Sequence, residues 1–162
     1  MLKDEAYLKL VTLCINFLTV YPKTQAQALR KIHEYLKSPD FGEFLEGDKE
    51  SIAESVLENL IKIDIVNDQT YITRFISSNN ASSKPDGSYL LVKKLREKGV
   101  SQDLLDKNFE QIQSFDSVNA KKLLLKKYKE EGIEGPQKRV KIAYLSSRGF
   151  NIGLLLSGVD ND

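Results

Sequence analysis

The chain is poor in the residues from which reactive sites are usually built. Its 162 residues include one cysteine, one histidine, one methionine and no tryptophan. A single cysteine excludes an internal disulfide, and Leu13, Ile15 and Leu18 beside Cys14 point to a place in a core. His33 has no second histidine or cysteine nearby, which argues against a zinc set and for a helix-edge residue. No P-loop, dinucleotide fingerprint or Gly-x-Ser-x-Gly elbow occurs, and one His and one Cys far apart in sequence give little basis for a triad. These absences lead us to expect no enzyme, no cofactor and no metal. No apolar run approaches the roughly 18 residues of a membrane span. The LKDEAYLKL that follows Met1 is amphipathic and carries Asp4 and Glu5, unlike a signal peptide. The expectation is a cytoplasmic monomer with no membrane partner.

What the chain has is helical spacing. It is 41% hydrophobic and 29% charged, enough for a core and a solvated surface. Ala6, Tyr7, Leu10, Leu13, Cys14 and Phe17 form an apolar stripe over 4–18. Tyr21-Pro22 ends that helix. Thr24 and Gln27 have the spacing of a capping box for the next one, which carries Leu29, Ile32, His33 and Leu36. Residues 38–48 read as a connection anchored by Phe41, Phe44 and Leu45. A third helix starts near Lys49, with Ile52, Val56, Leu57 and Leu60 inward.

Residues 61–76 admit two readings. Alternation at Ile61, Ile63 and Ile65 fits a hairpin turning at Asn67-Asp68, which would make the first half a winged-helix DNA-binding regulator. The other reading ends the third helix near Ile63 and opens a fourth, capped by Asp68. Residues 77–88, SSNNASSKPDGS, read as a linker-like loop.

Two corners of the chain echo each other. Gly99 and Gly149 lie 50 residues apart. At the same offset Val92 matches Ile142, Leu95 Leu145, Lys98 Arg148, Val100 Phe150, Leu104 Leu154 and Leu105 Leu155. Each glycine suits a left-handed helix stop, and Ser101 or Asn151 then caps the next helix. Asp116 or Ser117 caps a further helix that runs to about Glu131, and Pro136 fits the first turn of another. A fixed period of this size points to stacked helical units. The expected fold is therefore all-α: an elongated, curved array of three tandem three-helix repeats. They would span 1–66 (with the 38–48 insertion), 67–114 and 115–162.

The stretches CINFLTVYPKTQAQALRKIHEYL (14–36), VLENLIKIDIVNDQTYITRFI (56–76), GSYLLVKKLREKGVSQDLLDKNF (87–109) and KRVKIAYLSSRGFNIGLLL (138–156) resemble the RecX family of bacterial recombination regulators. The match lies in their order and spacing, from a leading helix pair to a Lys-Gly and then an Arg-Gly-Phe corner. The chain departs from the family pattern in having Asn67-Asp68 for Asp-Asp, Ile72 for a small residue, and the 38–48 insertion. The resemblance favours helix over hairpin at 61–76. It implies a non-enzymatic modulator that binds the RecA–DNA filament and suppresses its ATPase and strand exchange, acting in DNA repair, recombination and the SOS response. Lys98 and Arg148 are the best positional matches to the family's corners.

Charge adds a candidate surface. Residues 1–80 hold nine Lys and Arg against twelve Asp and Glu, whereas residues 81–162 hold fifteen against eleven. On the helix after Asp116, Lys122, Lys126 and Lys129 fall within about 60° of arc. Lys138, Arg139, Lys141 and Arg148 could extend the strip. With Lys98, these residues form the expected face for RecA, with weak direct contact to DNA.

Overall fold

The computed structural model describes residues 3–42 and 48–158. Within them the chain is all-helical, with ten helices and no strand. These are α1 Lys3–Val20, α2 Gln25–Leu36, α3 Pro39–Gly42, α4 Lys49–Lys62, α5 Asp68–Ala81, α6 Ser88–Glu97, α7 Gln102–Gln113, α8 Asp116–Tyr128, α9 Lys138–Ser147 and α10 Ile152–Ser157. The chain divides into two compact units. Unit 1 contains residues 1–71 and the corner 98–100; unit 2 contains residues 72–97 and 101–162.

In unit 1 the stripe of α1 buries Ala6, Leu10, Cys14 and Leu18 against Ala28, Ile32 and Leu36 of α2 and Ala53, Val56 and Leu60 of α4. These positions repeat every three or four residues, so each helix turns one apolar face inward. Burial pushes the Cys14 thiol up to about 11, as its place in this core requires. The capping box forms: Thr24 Oγ1 accepts the Gln27 amide at 3.2 Å, and Gln27 Oε1 accepts the Thr24 amide. His33 is a helix-edge residue, with Nε2 3.4 Å from Glu50. Phe41 of the 38–48 connection is buried, whereas Phe44, Leu45 and Gly47 lie outside the described residues.

One open reading is decided, for the favoured helix, and two local expectations need correction. Segment 61–76 is not a hairpin: α4 runs to Lys62 and α5 starts at Asp68, which removes the wing that a winged-helix reading requires. Asp64 turns the chain between them with φ 59°. Asp68 does not cap its own helix. Asn67 Oδ1 takes the Thr70 amide at 3.0 Å, and Asp68 Oδ1 takes the Gln25 amide at the start of α2. The stretch 77–88 is not all loop, because α5 continues to Ala81. The remaining connection is pinned by Asn79, whose side chain bonds both the amide and the carbonyl of Asp86.

In unit 2, α6 packs on α7 through Leu91, Leu95, Leu105 and Ile112. A second cluster joins Ala120, Leu123 and Leu124 of α8 with Leu145 of α9, Ile133 and Phe150. Ser101 and Asn151 cap α7 and α10 as expected, accepting the amides of Leu104 and Leu154. Asp116 does not cap α8. Its side chain is buried and turned to the start of α6, where Oδ1 accepts the Ser88 amide (2.9 Å) and Oδ2 the Ser88 hydroxyl (2.6 Å). Helix α8 ends at Tyr128, short of Glu131, because Lys129 takes the left-handed conformation with φ 62°.

Candidate functional site

Four basic residues of unit 2 gather around one segment, residues 80–86. Helix α5 ends there, and its last carbonyls carry the partial negative charge of a helix C-terminus. Lys122 Nζ lies 3.0 Å from Asn80 O, and Lys126 Nζ lies 3.4 Å from Ser83 O. One turn apart on α8, the two ammonium groups reach carbonyls three residues apart and belong to exposed side chains. Asn119 supports them from the same face by donating to Asn80 Oδ1.

Arg148 reaches the segment from the α9–α10 corner. Its Nη2 donates to Lys84 O at 2.6 Å and to Pro85 O at 3.3 Å, and pairs with Asp86 Oδ1 at 2.7 Å. Lys94 of α6 pairs with the other oxygen of Asp86, whose side chain is only 9% exposed. Two cations on one nearly buried carboxylate leave a local excess of positive charge. Lys84 adds a third cation on the rim of a cleft of about 390 Å³, which Ser78, Asn79 and Ser82 also line. The Arg148 side chain is 29% exposed, so part of its charge faces solvent while its geometry serves the loop.

The structure thus brings Lys122, Lys126 and Arg148 to one segment and adds Lys84 and Lys94, which sequence spacing had not singled out. Lys84 sits in the stretch read as a linker, and Lys94 lies on α6, whose sequence pattern is dominated by the inward Leu91 and Leu95. The other expected residues fare differently. Lys129 has left the helical arc; its Nζ lies 3.4 Å from Lys126 O. Lys138 is exposed and pairs with Glu134 at 3.3 Å, and Arg139 beside it is exposed. Lys98 belongs to unit 1, with a half-buried side chain and a carbonyl that accepts from Thr24 Oγ1 at 2.6 Å.

Lys141 leaves the face altogether. It is fully buried, and its ammonium is held by Glu130, by Gly132 O at 2.9 Å and by Glu134 O at 3.0 Å. A buried cation requires such partners, since an unpaired one would cost several kcal/mol of desolvation, on the order of 5. Lys141 therefore organises the 129–135 turn and offers nothing to a partner.

Two carboxylates hold helix starts in place. Burial raises the Asp116 carboxyl above its ordinary value, against the lowering effect of hydrogen bonds from Ser88 and from the Asn151 amide. Burial raises Asp68 likewise, against the Gln25 amide. Among the described residues, no group of three His, Cys, Asp or Glu side chains is placed to hold a metal, and no helix is long and apolar enough to cross a membrane.

Comparison with known proteins shows what the chain is similar to. No family model matches the chain. The regulatory protein RecX of Streptococcus uberis is 25% identical over 143 residues, covering 86% of this chain and 52% of that protein. A Streptococcus pneumoniae regulatory protein RecX is 30% identical over 129 residues, covering 78% of this chain and 46% of that protein. The chain thus spans about half the length of these curated relatives. The crystal structure of RecX from Lactobacillus salivarius superposes with a TM-score of 0.67 at 18% identity, covering 97% of this chain and 96% of that one. The chain is thus similar in sequence to proteins named regulatory protein RecX over most of its own length, and it shares the fold of a RecX crystal structure.

Proposed function

We propose that this protein is a non-enzymatic regulator of RecA that binds the RecA–DNA filament and lowers its ATPase and strand-exchange rates. The observation that carries this reading is similarity to proteins named regulatory protein RecX over 86% of the chain. The cluster around residues 80–86 supports a mode of contact. Exposed ammonium groups on Lys84, Lys122 and Lys126 can meet phosphates or acidic side chains along a filament. Lys98, Lys129, Lys138 and Arg139 extend the proposed contact set, and Arg148 contributes by fixing the loop that presents Lys84. Direct DNA contact is weak in this reading and secondary to protein contact. The protein works in the cytoplasm as a monomer, in DNA repair and recombination under the SOS response.

The reading includes tandem three-helix repeats over 1–66, 67–114 and 115–162. The like geometry of the Gly99 and Gly149 corners, with φ 86° and 81°, supports such repetition.

RecA ATPase on single-stranded DNA tests the function. Added in several-fold excess, the protein should slow hydrolysis and co-sediment with the filament. An unchanged rate without co-sedimentation rejects the reading.

A further inference from the structure

Unit 1 carries a net charge of −3, from nine Lys and Arg against twelve Asp and Glu over residues 1–71 and 98–100. Yet three of its cations collect in one notch. Lys23, Gln27, Arg30, Lys31 and Glu34 line it along α2 and its leading turn, at the i, i+4, i+7, i+8 and i+11 spacing of one helix face. Phe17 of α1 closes the other side, and the volume is about 450 Å³.

The cations are not equivalent. Lys31 is held: its Nζ lies 2.8 Å from Glu34 Oε2, 5.1 Å from the Phe17 ring centre and 4.9 Å from that of Tyr35. Ring faces attract an ammonium at such distances, so Lys31 serves as part of the wall. Lys23 and Arg30 have no acidic partner within ion-pair distance among the described residues. Beside them Phe17 and Tyr21 form a tilted ring pair with centres 5.5 Å apart. Tyr21 is 58% exposed and Val20 65%, giving the notch an apolar lip.

We propose that this notch is a docking surface for an acidic segment of a partner protein. Carboxylates of the segment pair with Lys23 and Arg30, and an apolar side chain lies on the Phe17–Tyr21 lip. The second oxygen of Glu34 accepts a backbone amide of the segment. Carboxylates two residues apart on an extended segment are about 7 Å apart on one face, within reach of both flexible cations. Charge complementarity singles out an anionic occupant, and Glu34 favours peptide over nucleic acid. A peptide backbone offers donors that a carboxylate can accept, whereas a nucleic-acid backbone presents phosphate acceptors that Glu34 repels. The surrounding −3 unit also disfavours a long polyanion more than a short acidic segment. The inference stands apart from the regulatory reading, since it uses none of the residues around 80–86.

The test is fluorescence anisotropy on the full chain with two labelled probes at equal length. One is an eight-residue peptide of Asp and Glu with a central Leu; the other is an eight-nucleotide oligo-dT. The peptide should bind, and Lys23→Glu/Arg30→Glu should weaken it tenfold or more. The Lys9→Glu/Lys62→Glu pair makes the same change in net charge at exposed positions outside the notch and should leave the affinity within twofold. Lys23→Gln/Arg30→Gln should weaken binding by a smaller factor, with thermal unfolding confirming that each variant is folded. Absence of peptide binding, equal losses in both charge-reversal pairs, or tighter oligo-dT binding that depends on Lys23 and Arg30 would each overturn the proposal.

Discussion

The corner 98–100 of unit 1 and the corner 148–150 of unit 2 solve one problem with different atoms. In each, a helix stops at a left-handed glycine and the turn is seated on the start of another helix. In unit 1 the seat is the first turn of α2. Thr24 Oγ1 donates to Lys98 O, and Gly99 lies against Ala26. In unit 2 the seat is the first turn of α6. The Gly87 amide donates to Arg148 O at 2.8 Å, and the Tyr89 amide to Gly149 O at 3.0 Å. A carboxylate completes each arrangement, Asp68 on the Gln25 amide and Asp116 on Ser88. Unit 1 reaches the corner through a hydroxyl, so the backbones can stand apart. Unit 2 reaches it through amides, so they must touch. That is why unit 2 places Gly87 opposite the corner, where an added Cβ would fall 2.5 Å from Gly149 C and O.

The comparison ranks the consequences of substitution. Gly149→Ala should be the most damaging change. Left-handed backbone costs a non-glycine residue about 1–2 kcal/mol, and the new Cβ would lie 2.5 Å from Leu90 N, an atom fixed in its helix. Overpacking adds about 1–3 kcal/mol, so urea unfolding should show a loss of about 3 kcal/mol or more. Gly99→Ala should lose less, because it meets the Ala26 methyl and not backbone. Combined with Ala26→Gly, it should fall short of the sum of the single losses by about 1 kcal/mol. Strict additivity would mean that the methyl contact is not the obstacle.

The carboxylates come next. Asp116→Ala removes the acceptor for two buried Ser88 groups and should cost about 3 kcal/mol in the same assay. Asp68→Ala strips one amide and should cost about 1–2 kcal/mol. Equal losses would contradict the difference between the two seats.

A smaller effect follows from pH. The Asp116 carboxyl is raised above 3.8 by burial. A raised carboxyl contributes stability that is fully present below the unfolded value and is lost as pH rises through the folded value. Measured by urea midpoints, wild type should therefore gain relative to Asp116→Asn on going from pH 7 to pH 4. A gap independent of pH would show that this carboxyl titrates alike in both states.

The smallest expected change is a gain. Lys129 ends α8 in the conformation that Gly99 and Gly149 adopt, but with a Cβ. Lys129→Gly should raise the melting temperature, through about 0.5–1 kcal/mol. No change, or a loss, would mean that the side chain contributes more than the strain it carries.

Much of the fold was legible because its signals are local. Helix periodicity gave the faces that bury Ala6, Leu10 and Cys14, and the Thr24–Gln27 box and both glycine stops follow from near neighbours in sequence. What escaped depends on partners far along the chain. Asp68 and Asp116 look like caps for the helices they begin, yet each serves a helix start that lies 43 or 28 residues earlier. Asn79 makes part of a Ser- and Asn-rich stretch helical and anchored, through bonds to Asp86 that composition does not reveal. The candidate face suffered in the same way. Arc arithmetic groups Lys122 with Lys126 correctly, but it cannot foresee that Lys141 is drawn inward by carbonyls of the 129–135 turn, or that Lys129 leaves the helix. The notch of Lys23, Arg30 and Lys31 was hidden by the acidic balance of its half of the chain.

Placement of Arg148 changes how the central claim is best tested. Reversing its charge would set an acid against the nearly buried Asp86 and disturb the fold. Lys84, Lys122 and Lys126 are exposed and can be reversed more safely. The decisive measurement is the RecA ATPase rate on single-stranded DNA with wild type and with Lys84→Glu/Lys122→Glu/Lys126→Glu side by side, both checked for helical circular dichroism. Wild type should slow hydrolysis, and the folded triple variant should lose most of that effect. A wild type that leaves the rate unchanged would contradict the function, and a triple variant as inhibitory as wild type would contradict the surface.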